Sequence, residues 1–548
     1  MSKGVWKMEP QLKDAFRKID MFVRQDIRAS GVPALVVGIT DRERLLHVYA
    51  RGYADLERKI PIRPDSKFEI GSISKSFASI VLLQLQEQGR LGIDNPVTDY
   101  LPWLKIKTRF KPITLRHLMS HTAGIIIGSD ESFSAYTEAL DLEKIGASTP
   151  PGRFFHYSNT GYKILGLVLE ELLGKSNGQI IKERVTEPLG MKDTETVIWN
   201  DTRERLPIGY GPYHDDRPLP RNGRLAPSPW LESDTADGSI ISTASDVATY
   251  LRTILNRGMG PEGRIISQKS FELLTQKIVD SSDAKWKGHY GLGLDITTLN
   301  GHTCVGHTGG MPGFISEILA DMDDGLGVVT LNNSRVDSNN IAVNTLTMLN
   351  AAVHGKRRPC LPVPRDPFHV KNASDYAGEY RRLDGKRVSF RSRRDRLYLV
   401  KGNTTIPLEQ RDKDTFLADH SDYHLFLFKF GRKAGKVVEV FHGADWYPKD
   451  SYKGRRVLSH PRSWNSYAGH YRSHNPTVSN FRVVLRKGAL VLIEQDAKEE
   501  PIVALGDGTF RVGADKRCPE RIEFRAIFKG KAMVAVLSGG RCARVSSP

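Results

Sequence analysis

The sequence predicts an α+β domain followed by two small antiparallel β-barrels, and three observations carry that prediction. Residues 1–350 mix long helical patterns with strand-like apolar runs. A stretch with four prolines and a basic cluster, His354–Phe368, then breaks all periodicity. The remainder consists of short alternating segments, and part of it occurs twice.

The elements follow in chain order. Met8–Ala29 reads as an amphipathic helix, and Pro33–Thr40 and Leu45–Ala54 as strands joined by a polar turn. Ser76–Gln88 is apolar over most of its length and reads as a buried helix that Gly89 stops. Tyr162–Leu173 is a second apolar helix, and Ser242–Leu255 a third that opens on Ser, Thr and Asp. Gly325–Leu331 reads as a buried strand and Ile341–Val353 as the closing helix. Helices mingled with strands suggest one sheet with helices packed on it.

In the tail, Arg387–Phe390, Leu397–Val400, Leu425–Phe430 and Val437–Phe441 read as short strands. Residues 374–382 (SDYAGEYRR) resemble 465–473 (NSYAGHYRS), Leu397-Tyr-Leu matches Leu490-Val-Leu, and Thr415-Phe matches Thr509-Phe. Three matches in order, roughly 90 residues apart, imply two copies of one small barrel. The expected boundaries are 1–355, a linker at 356–370, and barrels at 371–458 and 459–548.

Composition bounds the function. At 39% hydrophobic and 26% charged, the 548 residues are neither fibrous nor disordered. No apolar run is long enough to cross a membrane. The first twenty residues lack the apolar core of a secretory signal, so the chain is expected in the cytoplasm. The net charge is +17, yet residues 351–548 alone carry 39 basic and 21 acidic side chains. That excess is spread over strand-like segments, without a helix-turn-helix, zinc-finger or RNA-binding signature, so neither nucleic acid nor membrane is expected as a partner. Four scattered cysteines make no disulfide framework or zinc site, and no H-E-x-x-H pattern occurs, so no metal or cofactor is expected.

Three local patterns carry chemistry. In Ile70-Gly-Ser-Ile-Ser-Lys75, Ser72 and Lys75 are three apart where a loop enters an apolar helix, so they share one face. A hydroxyl at a helix N-terminus gains from its partial positive charge when an oxyanion forms. An amine among apolar neighbours such as Phe77 loses its proton more readily and then serves as a base. In Phe155-His-Tyr-Ser-Asn-Thr-Gly-Tyr162, Tyr157 and Asn159 are two apart, one suited to proton transfer and the other to holding an amide. Val305-Gly-His-Thr-Gly-Gly-Met-Pro-Gly-Phe314 reads as a strand followed by a glycine-rich turn, with His307 and Thr308 placed to bind an anionic group.

Together and in this order, the three patterns resemble the penicillin-recognising serine hydrolases, the superfamily of class C β-lactamases, D-Ala-D-Ala carboxypeptidases, D-aminopeptidases (peptidase family S12) and related esterases. The flanks Phe68-Glu-Ile-Gly, Leu118-Met-Ser-His-Thr-Ala-Gly124, Tyr290-Gly-Leu-Gly-Leu294 and Leu331-Asn-Asn-Ser334 are similar too. The resemblance spans residues 10–355. It implies an antiparallel sheet flanked by helices plus a helical subdomain, with Ser72 as the acylated nucleophile and Lys75 and Tyr157 exchanging its proton. Which of the two is the base stays open, because they would titrate as a pair. By the same resemblance, Asn159 and the strand His307-Thr308-Gly309-Gly310 bind substrate, and the N–H groups of Ser72 and Gly310 form the oxyanion hole. His121 falls in the family's structural His-Thr-x-Gly turn, so His117 and His121 imply no metal.

The tail resembles that of bacterial D-aminopeptidase, whose lipocalin-like barrels restrict access and send a loop to the active site. On such a loop Asp496 or Asp515 would bind a substrate amine. His-Thr-Gly in place of Lys-Thr-Gly matches D-Ala-D-Ala carboxypeptidases instead, so the two features point to different substrates. The expected activity is an aminopeptidase or amidase for short peptides, amides or esters with D-residues. A promiscuous esterase or carboxypeptidase is the first alternative, and an idle protein whose basic barrels bind a partner is the second. The sequence carries no marker of oligomeric state, and a homo-oligomer stays open.

Overall fold

Helix α1 (Glu9–Ser30) turns Ile19, Phe22 and Val23 inward at helical spacing, and all three are buried. They meet α5 (Ile341–Val353) through Ile341, Leu346 and Leu349, and both helices cover one face of the main sheet. The computed structural model describes residues 9–128, 134–281, 288–335, 340–355, 366–506 and 508–545.

That sheet is wholly antiparallel. Its strands are β1 (Ala34–Thr40), β2 (Leu45–Asp55), β3 (Ile60–Pro61), β4 (Val279–Asp280), β5 (Gly288–Tyr290), β6 (Asp295–Leu299), β7 (His302–Met311), β8 (Phe314–Asp321) and β9 (Leu326–Asn332). They lie in the order β3-β2-β1-β9-β8-β7-β6-β5-β4. Every residue of β1 and β9 is buried, because both faces are covered. Leu35, Val37 and Ile39 face α1 and α5, while Ala34 and Val36 face the larger core, which holds α2 (Ser74–Glu87), α3 (Asn159–Leu173) and α4 (Ala244–Leu255).

The sequence expectations for these elements hold to within a few residues. Where they slip, a cap explains it. Helix α3 begins three residues before the expected Tyr162, because the Ser158 hydroxyl accepts the Gly161 N–H at 3.0 Å. Helix α4 begins at Ala244 because Thr243 accepts the Asp246 N–H at 3.2 Å. The third motif differs more. Gly309 and Gly310 belong to strand β7, and the turn comes only at Pro312–Gly313.

The chain divides into two units, Met1–Gly211 with Leu225–Pro362, and Pro212–Arg224 with Val363–Pro548. The break after Pro362 falls inside the expected linker, of which residues 356–365 lie outside the described ones. Assigning all of 1–355 to the first unit needs correction at Pro212–Arg224. This excursion folds with the barrels: Asp215 takes two bonds from Arg472, at 2.6 and 2.9 Å, and Asp216 one from Arg482 at 3.0 Å. Those partners lie far along the chain, more than 250 residues away.

The second unit contains two eight-stranded antiparallel barrels. The first runs from Gly378–Arg381 to Asp445–Pro448, and its end strands are linked through Lys449, whose ammonium donates to Ala377 O at 3.1 Å. The second closes through a ladder that pairs Tyr471 with Arg544. The repeat is visible in side chains. Tyr380 donates to Tyr376 O at 2.8 Å, and Tyr471 to Tyr467 O at 2.7 Å. Tyr376 lies edge-on to Phe416, as Tyr467 does to Phe510, and Leu397 and Leu490 are both buried. Arg486 and Lys487 of the second barrel donate to Gly443 O and Glu439 of the first, so part of the basic excess joins the two. Among the described residues no helix is long and apolar enough to cross a membrane.

Candidate active site

The loop that ends in Ser72 is pressed against β7. Gly71 has φ +51°, a conformation open to glycine, and a side chain there would reach 2.7 Å from Gly310 N. Ser316 Oγ holds the preceding carbonyl, Ile70 O, at 2.7 Å. Ser72 sits in a single 3₁₀ turn, Gly71–Ile73, that leads directly into α2. The i, i+3 spacing brings Lys75 Nζ to 3.0 Å from Ser72 Oγ.

Lys75 is fully buried, and its Nζ is held in place by the Asp237 carbonyl at 2.7 Å. Its Nζ lies 5.0 Å from the centre of the Tyr157 ring and 5.6 Å from that of Tyr162. Burial pushes the Tyr157 phenol well above its usual range, and the charges of Asp237 and Asp295 add to the rise; a hydrogen bond with Ser72 works against it. Tyr157 is therefore a neutral phenol at physiological pH. The ring of His121 packs against it at a tilt of 37°, centres 4.2 Å apart, and His121 itself is buried with φ +55°, accepting the Ser158 N–H at 3.0 Å. His117, by contrast, serves a capping box with Thr114, so the two histidines act separately.

Asn159 opens α3, where its N–H donates to Ile127 O at 2.7 Å. Its side-chain Oδ1 is buried and has no partner among the described residues. His307 is 2% exposed and both ring nitrogens are engaged: Nδ1 donates to Thr308 O at 2.6 Å, and Nε2 accepts from the Tyr290 hydroxyl at 2.9 Å. Burial, reinforced by Lys75, lowers it to about 3, so the ring is neutral. The expectation that His307 binds an anion is not met by this geometry. Thr308 is directed to the opposite face of β7, across from Glu317. Beyond Gly306, where pairing with β6 ends, that edge of β7 from His307 to Met311 carries no strand among the described residues.

Asp496 and Asp515 lie in the second unit as exposed turn residues with local partners. Asp496 accepts the Lys498 N–H at 2.9 Å, and the Arg517 guanidinium holds Asp515 down at about 2. Sequence reasoning missed Asp237, whose contribution is a backbone carbonyl and leaves no residue-type signal. It quoted Tyr290 only as a flank and His121 only as a turn residue, although Tyr290 bonds His307 and His121 packs against Tyr157.

Two buried acids lie close by in the sequence or the sheet. Burial raises Glu69, three residues before Ser72, to about 8, and Asp295, at the start of β6, to about 7. Asp295 Oδ1 has no partner among the described residues. An unfolded aspartate titrates near pH 4, so the folded protein holds an extra proton between about pH 4 and 7. The stability this contributes is complete below that window and is lost as pH rises through it. Asp295→Asn should therefore gain stability relative to wild type by on the order of 4 kcal/mol between about pH 4 and pH 8. Urea melts at both pH values measure this, and a pH-independent difference would contradict it.

The arrangement can carry acyl transfer: a hydroxyl at a helix start, a buried amine in contact with it, a phenol bonded to it, and backbone N–H groups alongside. Known proteins agree. The beta-lactamase family matches residues 19–352, more than half of the chain. Penicillin-binding protein 4 of Amycolatopsis lactamdurans is 27% identical over 355 residues, spanning 62% of this chain and 91% of that protein. Among solved structures, the octameric penicillin-binding protein homologue from Pyrococcus abyssi is 26% identical with a TM-score of 0.56, covering 79% of this chain and 100% of that one. D-amino acid amidase from Ochrobactrum anthropi SV3 is 26% identical with a TM-score of 0.51, covering 62% and 98%. The chain belongs to the beta-lactamase family and is a serine hydrolase of that fold.

Proposed function

We propose that this hydrolase forms an acyl-enzyme on Ser72 and cleaves short amides or peptides of D-residues, as an amidase or aminopeptidase. The observation that carries the reading is His307. A lysine at that position would present a fixed cation to a carboxylate, whereas this imidazole is neutral and spent on Tyr290 and Thr308 O. An uncharged amide suits such a site better than a substrate that ends in a free carboxylate. Likeness to a D-amino acid amidase supports the same choice.

In this reading Ser72 Oγ attacks the carbonyl carbon as its proton passes to Lys75. The oxyanion is held by the N–H groups of Ser72 and Gly310. Tyr157, neutral at rest, donates to the leaving nitrogen and is reprotonated by Lys75. The C–N bond breaks, and water then hydrolyses the ester on Ser72 along the reverse route. Asn159 takes the substrate amide on its unpaired Oδ1.

Paired D- and L-alanine p-nitroanilides, with an N-acetylated D-form beside them, test the reading. Cleavage of the D-form with a free amine is expected. Turnover of a p-nitrophenyl ester without cleavage of any anilide would replace the reading with that of an esterase. Localisation in the cytoplasm is part of the proposal, and fractionation of the native host checks it.

A further inference from the structure

At the end of β7 away from Ser72, five side chains from three elements converge. His302 begins β7, Asp321 ends β8, Asp323 and Asp324 form the turn into β9, and His354 follows the last residue of α5. His302 Nδ1 lies 2.7 Å from Asp321 Oδ2 and 3.7 Å from Asp324 Oδ2. His354 Nε2 lies 2.9 Å from both oxygens of Asp324. The ligand atoms of His302, Asp324 and His354 are all within 4.8 Å of one another.

We propose that His302, Asp324 and His354, with Asp321 beside them, bind one divalent transition ion of the zinc, cobalt or nickel type. With bonds of about 2.0–2.1 Å, neighbouring ligand atoms of a tetrahedral site lie roughly 3.3 Å apart. The separations here, 2.9 and 3.7 Å among them, bracket that value. Two imidazoles with carboxylate oxygen select borderline ions over calcium or magnesium.

Two independent features fit an ion. No Lys or Arg among the described residues pairs with Asp321, Asp323 or Asp324; Arg42, the guanidinium at this turn, donates to the carbonyls of Met322 and Leu255 instead. Among the described residues, imidazoles are thus the only side chains able to carry positive charge that pair with Asp321 and Asp324. The carboxylates are also held from behind, as metal ligands commonly are. Asn350 donates to Asp321 Oδ2 at 2.6 Å and to Asp324 Oδ2, and Asp321 Oδ1 accepts the N–H groups of Asp323 and Asp324 at 2.9 and 3.0 Å. His302 and His354 keep 24% and 39% of their side chains exposed, so an ion can enter.

The ion would fasten the end of α5 to the sheet. From His302 to Gly310 the strand extends roughly 25 Å, so the ion takes no part in hydrolysis. His302 and Asp321 stand 19 residues apart in sequence, and Asp324 and His354 stand 30 apart, spacings that no short motif reveals.

The test uses full-length protein stripped with EDTA, titrated with ZnCl2 by calorimetry and with CoCl2 by visible absorption. Expected are one saturable zinc site per chain, the absorption of tetrahedral cobalt, and a melting temperature about 3 °C or more higher with zinc. His354→Ala and, separately, His302→Gln should each weaken zinc binding at least about tenfold. His354 is exposed at a helix end, so its variant is expected to fold. Absence of saturable binding, or zinc affinity unchanged in both variants, overturns the proposal.

Discussion

Ser72→Ala is expected to lower kcat by about 10³-fold or more while leaving the protein folded. The hydroxyl is the atom that forms the bond, and nothing nearby can replace it. Lys75 is held by the Asp237 carbonyl and Tyr157 is packed against His121, so the pocket keeps its shape without the hydroxyl. What the fold loses is one partly exposed hydrogen-bonding group, about 1 kcal/mol. The variant should therefore melt within a few degrees of wild type. Turnover above about a tenth of wild type in purified variant would remove Ser72 from the chemistry.

Gly309→Ala should be nearly as damaging, by a different route. The backbone at Gly309 accepts any residue, so the obstacle is space alone. A Cβ there would lie 1.9 Å from Ile70 O and 2.4 Å from Ser316 Oγ, the pair whose hydrogen bond fixes the Ser72 loop to β8. The loop must move away by more than an ångström. A displacement of that size between reacting groups costs about 100-fold in rate, and overpacking costs about 1–3 kcal/mol in stability. Gly310 is the contrast. A Cβ there meets only Ile315 Cδ1, at 3.7 Å, so Gly310→Ala should melt close to wild type. Equal stabilities for the two variants would contradict this account of the loop.

Much of the site was legible because its chemistry sits in short, local patterns. Ser72 and Lys75 are three apart, and Tyr157 and Asn159 two apart, so local geometry alone brings each pair together. The α+β sheet was legible in Ala34–Thr40 and Leu326–Asn332, where burial on both faces makes unbroken apolar runs. The barrels showed through their repeat, since Tyr376 and Tyr467 pack and bond in the same way.

What stayed hidden depends on distant partners or on backbone. Asp237 acts through its carbonyl, which any residue supplies. The neutrality of His307 depends on Tyr290, which arrives from β5. Pro212–Arg224 folds with the barrels through Arg472 and Arg482, more than 250 residues away. The glycine-rich stretch read as a turn because glycine is common in turns; here Gly309 is needed for close approach within a strand.

The measurement that tests the central claim most directly is the intact mass of the protein during turnover of a slowly deacylating p-nitrophenyl ester, followed by peptide mapping. The account predicts one acyl group per chain, carried on the peptide that contains Ser72 and absent from Ser72→Ala. An acyl group on another residue, or turnover in which no acylated protein accumulates even after rapid acid quench, would contradict it.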